Sequence, residues 1–90
     1  MKHSAVVLNS RDNVASALVE LKKGEQVEVG TVNMETRTVA LKEPISLGHK
    51  FALTRIREGA SVIKCSMVIG SATREIQEGE HVHVHNLVDS

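Results

Sequence analysis

The hydrophobic positions of this 90-residue chain change period along its length. Ala5-Val6-Val7-Leu8 is a short unbroken apolar run, which predicts a buried strand. Val14, Ala17, Leu18 and Leu21 then recur at the i, i+3, i+4, i+7 spacing of an amphipathic helix. Asp12 or Ser10 offers an N-cap before it, and Lys22-Lys23-Gly24 offers cations and a left-handed glycine after it. The pattern predicts one short helix near the N-terminus.

From Glu25 onward the period is two. Val27 and Val29 alternate with Gln26 and Glu28, and Thr36, Thr38 and Ala40 alternate with Arg37, Val39 and Leu41. Pro44 blocks a central strand where it stands. Ile45 to Lys50 predicts a loop or single turn. Phe51 to Ile56, Val62 to Lys64 and Met67 to Gly70 predict further strands, and His81 to Val88 a last one. Lys23-Gly24, Glu58-Gly59 and Glu78-Gly79 mark turns, and their unequal spacing argues against a repeat. Six or seven short strands with one helix predict a mostly β fold, barrel-like or irregular, in a single domain over 1–90.

Composition narrows the function classes. Phe51 is the only aromatic residue, so the core is aliphatic and the stacking platforms of single-strand nucleic-acid binders are missing. Eleven basic residues balance eleven acidic ones, leaving no surplus for a phosphate backbone. A charge near zero leaves association with a second copy open. Cys65 is the only cysteine, which rules out an internal disulfide or a CxxC zinc site and fits a reducing compartment. Ala5 to Leu8 is too short for a signal-peptide core, and no apolar run approaches the roughly 20 residues that cross a bilayer. The expected setting is the cytoplasm, with neither nucleic acid nor membrane as partner.

Candidate chemistry lies in two imidazole-bearing segments. In His81-Val82-His83-Val84-His85-Asn86 a strand would place His81, His83 and His85 on one face, about 6 to 7 Å apart in succession. Two of them would suffice to chelate a first-row metal ion. The plain alternative is a half-exposed strand whose polar face is histidine. Gly48-His49-Lys50 joins a conformationally free glycine, a group that titrates near neutrality and a cation for a carboxylate. Taken alone, a solvated surface loop explains it better. Lys64 either snorkels to water or adds a third positive group to the same pocket. Cys65 reads as a small buried thiol rather than a nucleophile, and Glu43, Glu78 and Glu80 as solvated turn charges. No Ser-His-Asp triad, phosphate-cradling loop or glycosidase-type carboxylate pair is present. Cations and imidazoles without an evident cavity suggest part of a site rather than a whole one.

Together these segments resemble a known family. Asp12-Asn13-Val14-Ala15-x-Ala17-Leu18, Gly48-His49-Lys50-Phe51-Ala52-Leu53, Ile56-x-x-Gly59, Val62-Ile63-Lys64, Ile69-Gly70-x-Ala72-Thr73 and Ile76-x-x-Gly79-Glu80 through Asn86 are similar, in order and spacing, to the N-terminal domain of the altronate and galactarate dehydratases. Ser46 stands where that family usually has proline, and Cys65-Ser66 where it usually has Tyr-Gly. The resemblance implies a SAF-like β-clip domain. It also implies a hydro-lyase that dehydrates altronate, galactarate or a related 2,3-dihydroxy acid to a 2-keto-3-deoxy acid, with a divalent metal, usually iron. The chain's size is similar to the family's stand-alone small subunits, one of which belongs to a sulfo-lyase acting on sulfolactate. The implied partner is a large dehydratase catalytic subunit. In that frame His49 and Lys50 are the catalytic candidates, Lys64, His83 and Asn86 the substrate-binding ones, and His83 and His85 the metal ligands. The rival reading is a non-catalytic SAF module for carbohydrate binding or assembly.

Overall fold

The computed structural model describes residues 3–32 and 35–89. Nine strands run through them: β1 (Ala5–Val6), β2 (Val14–Ala17), β3 (Gln26–Gly30), β4 (Thr36–Ala40), β5 (Lys50–Ala52), β6 (Ser61–Lys64), β7 (Met67–Ala72), β8 (His81–Val82) and β9 (Leu87–Val88). They form a six-stranded sheet of order β4-β3-β1-β2-β5-β8 and a three-stranded sheet of order β6-β7-β9. The β1–β3 pair is parallel and the other pairs are antiparallel.

The described residues contain no helix, so the helix expected over Val14 to Leu21 is corrected to a strand and a bend. The reason is visible in the packing. β2 lies between β1 and β5, with Ala5 opposite Ala17 and Val14 opposite Ala52. Ala15 and Ala17 point into one core with Val29, Ile45 and Phe51, whereas Val14 points into a second core with Ala52, Ile76 and Val82. A strand buried on both faces loses the apolar/polar alternation that advertises a strand. Here that loss happens to reproduce helical spacing. Tertiary burial then overrides local propensity.

Four turns, not three, share one geometry. Leu21, Ile45, Ile56 and Ile76 are buried, and each is followed three residues later by a glycine with φ between 84° and 88°. The residue after each glycine donates its N–H back three residues, to the carbonyl of Lys22, Ser46, Arg57 or Gln77. A positive φ at the third position of such a turn favours glycine. The aliphatic residues pair by reciprocal backbone bonds, Leu21 with Ile45 and Ile56 with Ile76. The four turns share this geometry although their spacing along the chain is unequal. They form two pairs, with different lengths of chain between the partners.

The last predicted strand is also corrected. β8 ends at Val82, a turn occupies His83 to Asn86, and β9 joins the other sheet against β7. Asn86 makes this break. It is 2% exposed, its Nδ2 donates to the His81 carbonyl, and its Oδ1 accepts from the His83 N–H.

Cys65, expected buried, is exposed at the tip of the β6–β7 hairpin. The two-residue loop Cys65-Ser66 has φ of 54° and 66°, the positive pair of a type I′ turn, without any glycine. The Asp12 carboxylate accepts from both loop N–H groups. Asp12 therefore caps a hairpin 53 residues away rather than a helix.

Candidate active site

The two imidazole segments meet because of strand register. Lys50 pairs with Val82 and Phe51 with His81. Continuing that antiparallel pairing one step brings His49 opposite His83. Their rings stack, with centroids 4.4 Å apart and planes 16° from parallel. His81 stacks with His49 at 5.1 Å and with His83 at 5.4 Å. His49 Nδ1 and His81 Nε2 lie 2.9 Å apart, so one ring donates to the other. His85 is exposed and lies against His81 at 5.3 Å.

One ring nitrogen from each of His49, His81 and His83 lies within 4.8 Å of the others. This is the group of described residues able to hold a metal ion. Two of the three were singled out as ligands or catalytic groups from sequence, His83 and His49. His81 takes the place in the cluster that the reading gave to His85. To share one ion at about 2.1 Å, the three ring nitrogens would have to stand about 3 to 3.5 Å from one another.

The surroundings disfavour the charged form of two of these rings, His81 and His83. His81 is held below the usual histidine value by its partial burial and then by the His49, His85 and His83 rings, with Glu43 opposing. His83 is lowered by desolvation first, then by His49, Lys50 and His85. Neutral imidazole is the form that ligates a metal or accepts a proton. Lys50 is lowered by its burial and by the charge of Lys64. The second-segment cation and the β6 cation thus lie within electrostatic reach of each other, and Lys50 is also felt at His83.

Two groups play parts that sequence reasoning did not give them. Glu43, read as a solvated turn charge, is half-buried and accepts from the His81 backbone N–H at 2.8 Å. It fixes the start of β8 beneath the rings. Asn86, a substrate-binding candidate, spends its amide on the backbone of His81 and His83, holding those two residues in place. Pro44 beside Glu43 was the one local signal that this segment is a shaped corner.

The site is an open face. Two cavities among the described residues, of about 250 and 440 Å³, are lined chiefly by segments around β1, β3 and β4 and include none of His49, His81, His83, Lys50 or Lys64.

The comparisons with known proteins bear on what this face belongs to. Residues 3–90 match the altronate/galactarate dehydratase SAF domain. The chain belongs to that family. It is 44% identical over 81 residues to the altronate dehydratase of Escherichia coli (strain K12), covering 90% of this chain and 15% of that enzyme. It is 40% identical over 83 residues to the altronate dehydratase of Bacillus subtilis (strain 168), covering 92% of this chain and 16% of that one. It is 39% identical over 84 residues to the (2R)-sulfolactate sulfo-lyase subunit alpha of Chromohalobacter salexigens, covering 91% of this chain and 89% of the subunit. This SAF domain thus spans about one sixth of the altronate dehydratases and nearly all of the sulfo-lyase subunit. No helix among its described residues is long and apolar enough to cross a membrane.

Proposed function

We propose that this SAF domain is the small subunit of a sugar-acid lyase and supplies one wall of an active site completed by a larger catalytic chain. The observation that carries the reading is the open cluster of His49, His81 and His83 with Lys50 and Lys64 at its edge. Open cationic and imidazole groups without a cavity suit a shared site. The relatives support the same division, since the matching region makes up 89% of one that is itself a subunit and 15% of an altronate dehydratase.

The reaction is loss of water from altronate, galactarate or a related 2,3-dihydroxy acid. A base removes the C2 proton, the C3 hydroxyl leaves as water, and the enol formed across C2 and C3 becomes the 2-keto-3-deoxy acid. Altronate and (2R)-sulfolactate share a 2-hydroxycarboxylate end and differ in the group lost from C3. A domain common to both kinds of enzyme serves the common end. Lys50 and Lys64 then pair with the carboxylate, lowering the cost of the negative charge that builds on it when the C2 proton leaves. His49, His81 and His83 would hold a divalent cation such as iron. That cation supplies Lewis acidity to substrate oxygens. The short contact between His49 and His81 favours a ligand role for His49 over that of a free base. The proton acceptor at C2 and the walls that exclude water are assigned to the large chain. His85, outside the trio, faces solvent and the partner.

The isolated chain is expected to dehydrate neither altronate nor galactarate. Activity should arise when the larger chain that co-purifies with it is added, and His49→Ala should abolish it without unfolding this domain. Turnover by the isolated chain, or full turnover by the His49→Ala complex, would sink the reading. A second reading is favoured by the 39% identity to the sulfo-lyase subunit: release of sulfite from sulfolactate. Assaying the complex for sulfite and for 2-keto-3-deoxy acid separates the two. A partnered complex with neither product would leave a non-catalytic module.

A further inference from the structure

We propose that Asp12 is a positioning residue of this site: its carboxylate closes the β6–β7 hairpin and so sets the place of Lys64. The inference rests on the reading of the two lysines as carboxylate partners. It begins from the turn. Cys65 and Ser66 both adopt positive φ, at 54° and 66°, and neither is glycine. L-residues adopt that conformation reluctantly, and the tight turn that demands it is usually supplied with Gly or Asn. Something outside the turn must therefore hold it.

Asp12 does so with both oxygens. Oδ2 accepts from the Cys65 N–H and Oδ1 from the Ser66 N–H, each at 2.9 Å. The neighbouring residue extends the clamp. Asn13 Oδ1 accepts from the Ile63 N–H at 2.8 Å, and its Nδ2 donates to the Ser61 carbonyl at 2.9 Å. The Asn13 carbonyl in turn accepts from the Leu53 N–H, just past β5. One short segment thus ties the hairpin that ends in Lys64 to the strand that begins with Lys50. The Asn13 N–H also donates to the Ile63 carbonyl, while β6 itself is an outer strand whose register shifts between Val62 and Ile63. Without the carboxylate the loop is free to relax toward negative φ. That reverses the sense of the turn and displaces Lys64, its first residue.

The test uses the full chain with malonate, a small dicarboxylate, as probe, followed by NMR titration. Wild type should bind, and Lys64→Met should weaken binding by about fivefold or more, the scale of losing one charged partner. Asp12→Ala should weaken it as much as Lys64→Met does, although it removes a negative charge. Adding Ser66→Gly to Asp12→Ala should restore affinity to within about twofold, because glycine takes the positive φ unaided. Wild-type affinity in Asp12→Ala, or a double variant that stays weak, overturns the inference while leaving the lysine reading intact. A wild-type chain that binds no malonate removes the lysine reading and this inference with it. Should Asp12→Ala fail to fold, the comparison passes to Ser66→Gly with and without Asp12→Ala. Equal affinities support the positioning role, and a weaker double variant overturns it.

Discussion

His49 and His83 stack across the β5–β8 pair, with ring centroids 4.4 Å apart, although 34 positions separate them in the chain. The contact follows from one register, Lys50 opposite Val82 and Phe51 opposite His81. Phe51 and Val82 are fully buried, in the first and second core respectively. A one-residue slip would turn both out of their cores. Aliphatic and aromatic burial therefore sets where the imidazoles meet.

If that trio binds a metal, each of its members should matter and His85 should matter less. Single His49→Ala, His81→Ala and His83→Ala variants are expected to weaken Co²⁺ binding by more than about tenfold, the scale of losing even an outer-shell partner. His85→Ala should stay near wild type. Titration of the purified chain by Co²⁺ absorbance decides between this trio and a His83–His85 pair.

Much of this arrangement was legible beforehand and some was not. The alternation in Gln26 to Gly30 and in Thr36 to Ala40 announced β3 and β4, because each has one face in water. β2 and β5 were harder for the opposite reason. Ala15 and Phe51 face one core while Val14 and Ala52 face the other, so no regular alternation of polar and apolar residues marks the period. The same blindness hid which histidines meet. Spacing within His81 to His85 suggested neighbours along a strand, but Asn86 ends that strand at Val82 and the decisive neighbour, His49, comes from β5's approach. The family resemblance named both segments as one domain's. It could not say that Glu43 and Asn86 are their supports, since each acts through a backbone group that no sequence pattern displays.

Asn86 should be worth more to stability than to ligand contact. Asn86→Ala removes the partners of the His81 carbonyl and the His83 N–H in a buried setting. An unsatisfied buried group costs about 1–3 kcal/mol, so a loss of about 2–4 kcal/mol is expected from urea unfolding. An unchanged midpoint would show that the 83–86 turn holds itself.

Acid should destabilise the fold through the same rings. His81 and His83 have folded-state values below the ordinary one of about 6.5. The unfolded chain then binds more protons in that window, so stability rises with pH through it. It is complete above about pH 6.5 and is lost as pH falls toward the lowered values. The urea midpoint should drop between pH 7.5 and 5.5, and His81→Asn should flatten the slope. A steeper slope in His81→Asn would contradict the assignment.

The paired turns give a sharper contrast, because their glycines share a backbone angle but not a neighbourhood. A Cβ placed on Gly24 or Gly48 meets nothing within 4 Å, whereas on Gly79 it lies 2.2 Å from the Ala40 carbonyl oxygen. Gly24→Ala and Gly48→Ala therefore carry only the left-handed backbone penalty, about 1–2 kcal/mol. Gly79→Ala carries that penalty plus displacement of β4's end, where Lys42 also donates to the Gly79 carbonyl. A backbone shift of that kind adds about 1–3 kcal/mol. Since a chain of this size holds only about 5–10 kcal/mol in total, Gly79→Ala should lose a large share of its stability and melt well below the other two. Far-ultraviolet circular dichroism with thermal melts reads the difference. Equal melting temperatures for all three would mean that β4 yields to Gly79 at no cost, and that the turns are held by their own hydrogen bonds rather than by the strands packed against them.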